Sequence, residues 1–305
     1  MKTFLVVNPQ SANGQTGRRW PELSAQVARA LGEFSHGFTQ GPLDAARLAG
    51  QAIKEGFDCV VSVGGDGTLN EVVNGFFEGG SAIRPNVALG VITRGTGGDF
   101  GKTFGWDRSL DAALARIKAE ATRDLDVGLV EFTATSGELA TRYFANICSF
   151  GASGQVDHEV NKGSKALGGT VSFLLGTVRA LVKYSDRTVR LSVDGAPMEE
   201  LKVTTLAVAN GQFFGSGMRV APDADPCDGL FDVTVWTGYG LADFVLKSKS
   251  VYNGRHTRWS GTRQLRCRSI RAESDEEVLL DVDGEQPGRL PCQMTVVPRA
   301  IRLKG

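Results

Sequence analysis

The segment VVSVGGDGTLNEVVNG, residues 60–75, constrains the fold more than any other stretch. An apolar run ends at Gly64, a glycine-rich turn holding one carboxylate follows, and a helical pattern begins at once. An apolar run of this length, broken only by the small Ser62, reads as a strand covered on both faces, which places it inside a parallel sheet. The turn then falls at the strand's carboxyl end, where sheets of this kind bind ligands. Glycines there let backbone amides approach phosphate oxygens closely, and Asp66 is placed to hold Mg2+ directly or through water. The competing reading is a plain strand-to-helix turn with Asp66 in solvent.

The flanking pattern extends the sheet. Apolar runs at 3–8, 58–63 and 87–93, with a shorter candidate at 34–40, alternate with helical spacing at 20–31, 42–56, 69–78 and 109–121. Such alternation predicts βαβ units. Thr68 and Glu71 form a T-x-x-E pattern, so Thr68 is expected to open the third helix as its cap. Beyond about residue 124, Val- and Thr-rich alternating segments predict an antiparallel β region. A helical insert at 164–185 interrupts it, and 241–251 reads as a further helix. The expected domains are 1–124, α/β, and 125–291, β-rich, with residues 292–305 allowed as a strand returning to the first and a cleft between the two.

Lys plus Arg and Asp plus Glu both total 34, so there is no net charge to favour a nucleic-acid partner. Five scattered cysteines without a C-x-x-C pair argue against a disulfide framework or thiolate zinc site and suggest buried thiols in a reducing compartment. The start MKTFLVVNP lacks a signal-peptide pattern, and no stretch is apolar for long enough to span a bilayer, which gives a cytoplasmic expectation. His36, His158 and His256 stand apart, with no metal-ligand spacing.

Two phosphate motifs fail on spacing. Asn70 stands where G-x-G-x-x-G needs its last glycine, and Thr96 stands where GTGGDFGKT (95–103) would need the first glycine of a P-loop. That second glycine-rich segment still follows an apolar strand and is expected beside the first. The polar loop 8–19, NPQSANGQTGRR, joins them at the same edge, offering Asn8, Ser11, Arg18 and Arg19. In the β region, APDADPCDGLFDV (221–233) gathers acids in a pattern that is not an EF-hand; it either turns the chain at Asp228 and Gly229 or holds one Mg2+. LLDVDGEQP (279–287) reads as an Asp-Gly hairpin, like SVDGAP (192–197), but carries Glu285, a carboxylate able to take a proton from a hydroxyl.

Taken in order over nearly the whole chain, VNPQSANG, VVSVGGDGTLNEVVNG, GTGGDF, CDGLFDV and VDGE resemble the diacylglycerol kinase catalytic-domain family. Its members include bacterial lipid kinases of the YegS/DgkB type and the related sphingosine and ceramide kinases. The resemblance implies an N-terminal three-layer α/β nucleotide-binding domain and a C-terminal antiparallel β-sandwich, with ATP and Mg2+ as cofactors and a lipid as substrate. It implies ATP contacts at Asn8, Thr39, Gly65, Asp66, Gly67, Thr68, Leu69, Asn70, Glu71 and Thr96. Asp66 would organise catalytic Mg2+ through water, and Asp228 would hold a structural Mg2+ with the carbonyls of Asp225 and Leu230. Glu285 and Asp66 compete for the role of general base. Gly98 departs from the family's usual Asn before the aspartate, and Asp225 stands where an apolar residue is common. Acids from the two domains are expected to converge on one triphosphate. Peripheral contact with the inner membrane face is expected from 171–184 and from the arginines of 255–271. The competing functions are an NAD kinase-like soluble-substrate kinase and a nucleotide-binding regulatory protein without catalysis.

Overall fold

The computed structural model describes residues 1–95, 97–156 and 184–305, so the predicted insert, apart from its last two residues, and His158 lie outside the described residues. The chain divides into two compact units, Met1–Val127 with Pro298–Gly305, and Gly128–Val297.

The first unit is built on parallel strands: β1 (Thr3–Val7), β2 (Ser35–Phe38), β3 (Cys59–Gly64) and β4 (Ala88–Thr93). Their order is β4-β3-β1-β2, and the end of the last strand of the chain adds beside β4 through Arg302 and Leu303. β3 is buried along its whole length, Ser62 included, as its otherwise apolar run predicts. Helices α1 (Gln15–Arg18), α2 (Trp20–Leu31), α3 (Asp44–Lys54), α4 (Asp66–Asn74), α5 (Asp99–Thr103) and α6 (Leu110–Lys118) connect the strands. Trp20, Leu23 and Val27 of α2 and Ala113, Leu114 and Ile117 of α6 pack on Leu5, Val7, Val61 and Val63. Helices α3 and α4 pair with each other and pack on β1 and β3 outside that cluster, which gives three layers.

This order has a topological consequence. From β1 the chain moves outward one way to β2, and from β3 the other way to β4. The reversal lies between β1 and β3, and a doubly wound sheet opens its ligand crevice at the carboxyl ends of such a strand pair.

The second unit is a β-sandwich. One sheet runs Thr262–Cys267, Phe231–Trp236, Thr205–Ala209, Ile147–Gly151 and Leu280–Val282, all antiparallel. The facing strands include Glu199–Val203, Arg187–Val193, Ser269–Glu273 and the first half of Gly288–Lys304. Inward residues of both layers, among them Phe132, Phe144, Phe150, Leu206, Phe231, Ile270 and Met294, form one core. Phe144 is fully buried and stacks on Phe231 with ring centroids 5.5 Å apart. The helix expected near 241–251 is present as Leu241–Tyr252.

Four of the five cysteines are buried free thiols, while Cys227 is exposed because it sits in the acidic turn rather than in a strand. Phe144→Ala removes a ring that nothing else can replace and should cost about 3–5 kcal/mol. Leu139→Ala, at a side chain left 86% exposed, should cost almost nothing; urea unfolding of both variants measures the contrast.

Candidate functional site

The loop starts of the first unit are fixed by ladder hydrogen bonds that run one step past the strands. Thr39 donates its N–H to Val7 O at 2.9 Å, Asn8 to Val63 O at 3.0 Å, and Arg94 to Gly64 O at 2.6 Å. Four loops therefore leave the sheet at one edge, and the sequence loops at 8–19, 64–68 and 94–98 are neighbours there. The Asn8 side chain donates Nδ2–H to Thr68 Oγ1 at 3.0 Å, tying the first loop to the helix after the second across the reversal point. Its Oδ1 accepts the Gln10 N–H at 2.9 Å, so the amide's orientation is set from both ends.

Thr68 does not open α4. That helix begins at Asp66 with Gly65 as its cap, and no side chain caps it. Glu71 instead reaches across to accept the Ala45 N–H at 3.1 Å, satisfying the start of α3. The T-x-x-E spacing is present, but tertiary packing offers each side chain a better partner. Leu69 and Asn70 are buried within α4, while Gly65, Asp66 and Gly67 remain partly exposed. Thr96 lies outside the described residues. Arg18 bonds back to Asn13 O and Arg19 pairs with Glu22, so the charge of Arg19 is already committed.

Asp66 is the hub of the edge. Its Oδ2 accepts N–H groups from Gly98 at 2.8 Å and Asp99 at 3.3 Å, and its Oδ1 accepts that of Phe100 at 3.3 Å. These are orphan donors at the start of α5, which a carboxylate satisfies as a cap would. Burial raises the Asp66 pKa, the nearby Asp99 carboxylate adds to the rise, and the three amides pull it down; burial and repulsion win. Asp99 itself is buried and paired with Lys102 Nζ at 2.6 Å. The two glycine loops touch: a Cβ on Gly95 would lie 3.0 Å from Gly65 Cα, and one on Gly97 only 2.7 Å from Asp66 Oδ2.

Gly98 has φ 65 and ψ 36, the left-handed conformation. Glycine and asparagine are the residues that tolerate this region best. The departure from Asn thus keeps the backbone geometry that presents the Gly98 N–H to Asp66, and loses only an amide side chain.

In the second unit the expected VDGE hairpin is present. Asp283 (φ 50) and Gly284 (φ 89) form the turn, closed by Val282 N–H to Glu285 O at 2.8 Å. The Asp283 carboxylate accepts N–H groups from Ala145, Asn146 and Ile147 at 2.8–3.1 Å, and buried Asp281 takes the Ser149 hydroxyl and the Gly284 N–H. Glu285 follows this anchored turn, exposed, its carboxylate without a hydrogen bond or ion pair to the described residues. Sequence reasoning missed Asp283 and Asp281; the signal was the density of acids around one Asp-Gly pair.

The predicted structural metal site is arranged differently. Asp228 is bound by Arg266 Nη2 through one oxygen, and its other oxygen accepts the Leu230 N–H at 3.0 Å. Arg266 Nε also meets Asp232 at 3.2 Å. The Asp225 carbonyl accepts the Asp228 N–H at 3.4 Å, and the Asp225 side chain accepts that of Cys227. Among the described residues, no group of three or more His, Cys, Asp or Glu side chains is placed to hold a metal ion. Arg263 and Arg271, both in the basic segment, are likewise paired with Glu199 and Glu273. Residues 171–183 of the expected membrane segment lie outside the described residues. Among the described residues no helix is long and apolar enough to cross a membrane.

Asp66→Ala should release three amides at once. Hydrogen exchange at residues 98–100 should rise strongly in that variant and less in Asp66→Asn, which keeps an acceptor oxygen.

Comparison with known proteins agrees with this architecture. The diacylglycerol kinase catalytic domain matches residues 2–130, and the YegS C-terminal NAD kinase β-sandwich-like domain matches residues 146–305. A diacylglycerol kinase of Staphylococcus aureus (strain MRSA252) is 28% identical over 299 residues, covering 97% of this chain and 90% of that protein. One from Staphylococcus haemolyticus (strain JCSC1435) is 28% identical over 300 residues, covering 98% and 86%. Two solved structures from Bacillus anthracis (strain Sterne) share the fold, one of them a diacylglycerol kinase at TM-score 0.71 and 21% identity. The other reaches 0.75 at 24% identity, and both cover 99% of this chain and 96% of the other chain. The chain belongs to the family of lipid kinases in which a diacylglycerol kinase catalytic domain is followed by a YegS C-terminal domain.

Proposed function

We propose that the protein moves the γ-phosphoryl group of ATP to the hydroxyl of a diacylglycerol-like or sphingolipid-like substrate in a Mg2+-dependent reaction. The observation that carries this reading is the joining of three loops at the reversal point of the first sheet, through Asn8 to Thr68 and Asp66 to residues 98–100. Phosphoryl transfer asks a protein mainly to position a polyphosphate and stabilise charge. Rigid loops whose glycines leave backbone exposed suit that task. The names of the relatives supply the lipid class.

In this reading Gly65 and Gly67 let the triphosphate approach the backbone, with Asn8, Thr39, Thr68 and Thr96 as polar contacts. Asp66 spends most of its acceptor capacity on amides, so direct metal ligation does not suit it. One lone pair of Oδ1 remains for a water of hydrated Mg2+, which fits the expected indirect contact. When bound with ATP, the ion would supply charge neutralisation at the β- and γ-phosphates. The three amides on Asp66 also argue for a positioning role and leave the base role to Glu285, whose carboxylate is exposed and has no partner among the described residues. As the lipid oxygen bonds to γ-phosphorus and the bond to the β–γ bridging oxygen breaks, Glu285 accepts the hydroxyl proton and ADP leaves. The protein would meet its substrate by peripheral contact with a membrane surface.

Purified protein, labelled ATP and diacylglycerol in mixed micelles test the proposal, with NAD as the competing acceptor. Labelled phosphatidic acid is expected, and labelling of NAD alone would overturn the lipid reading. Glu285→Gln should lower kcat by about 10²–10⁴-fold while ATP affinity stays nearly constant. A fully active variant would remove Glu285 from the mechanism.

A further inference from the structure

The acidic turn between residues 223 and 232 has a feature that its sequence motif does not announce. Arg266 stands directly across from Asp232 in the antiparallel pair formed by Phe231–Trp236 and Thr262–Cys267. From that strand its guanidinium spans two carboxylates with two different nitrogens, Nε on Asp232 and Nη2 on Asp228. A planar guanidinium fork suits this divided contact, whereas an ammonium would not. With the Leu230 N–H on the second oxygen, both oxygens of Asp228 are engaged.

Mg2+ requires close octahedral coordination by oxygens and gives up its waters reluctantly. Here it would find one carboxylate already bound to a cation, an Asp225 carbonyl already accepting an N–H, and a permanent positive charge within contact distance. The residues do not fit the structural ion that the family resemblance implies. We infer that Arg266 replaces that ion: a built-in monocation pins the 225–230 turn to the edge of the sandwich, and the unit needs no divalent metal there.

The exposure of the partners sets the scale of the effect. Asp232 has only 11% of its side chain exposed and Asp228 29%, so removing the guanidinium leaves two close, half-desolvated negative charges. The loss should exceed that of an ordinary surface pair.

The test is thermal melting of nucleotide-free protein in EDTA and in rising Mg2+ at constant ionic strength. It needs no substrate, so it stands whether or not the protein phosphorylates a lipid. Wild-type protein should melt at the same temperature throughout. Arg266→Met should melt several degrees lower in EDTA and recover in millimolar Mg2+, and Asp228→Asn in the same background should remove that recovery. Arg266→Lys, which keeps the charge without the fork, should show a smaller loss and answers the question if the methionine variant does not fold. A saturable Mg2+ stabilisation of wild-type protein that Asp228→Asn abolishes would overturn the inference. So would variants as stable as wild type, or variants that gain no response to Mg2+.

Discussion

A half-buried carboxylate holding three backbone amides is the constraint around which the first unit's loops are organised. Asp66 sits at the start of the helix after β3, yet its oxygens are spent on residues 98–100, in the loop after β4. The parallel register of β3 and β4 brings those loops side by side, and Gly65 and Gly95 let them meet without side chains between. Ionising Asp66 at this depth costs free energy, as the upward shift of its pKa shows. A neutral amide would avoid that cost but could not accept three N–H groups as a carboxylate does. Keeping an acid at such a place indicates that the geometry of the second loop matters more than the local stability lost.

The same device recurs in the second unit in a form that separates structure from chemistry. Two Asp-Gly turns both use the aspartate to collect backbone amides from a neighbouring segment. Asp194 takes those of Arg268 and Ser269, and Asp283 takes those of residues 145–147. Both aspartates sit at positive φ, where Asp is among the residues least strained. An acid used in this way spends much of its acceptor capacity on the fold. What distinguishes the later turn is the residue after it, Ala196 in one case and, in the other, Glu285, exposed and without a partner among the described residues.

Local patterns were legible where one residue's environment depends on near neighbours. Helix α2 follows the apolar spacing of 20–31 to the residue, and β3 follows a run that is apolar but for Ser62. The αβ-then-β order and the two hairpins were equally plain, because periodicity and turn chemistry act over a few residues. The contacts that shape the candidate site are not of that kind. Thr68 bonds Asn8 across 60 positions, Glu71 caps a helix 26 positions away, and Asp66 reaches 32 to 34 positions ahead. A T-x-x-E pattern describes what Thr68 and Glu71 do in an isolated helix; the folded sheet supplies competing donors that no window on the sequence contains.

Arg266 illustrates the same limit with a chemical consequence. In sequence it is one arginine of a basic segment, readable as a lipid-facing charge, and Asp228 is one acid of a cluster, readable as a metal ligand. Strand pairing sets them against each other, a contact that neither reading of the sequence contains. An unpaired cluster of acids draws a dication, and an unpaired row of arginines draws anionic headgroups, but neutralised in pairs they draw neither strongly. With Arg263, Arg266 and Arg271 already facing carboxylates, a count of arginines alone does not give the charge that this surface presents.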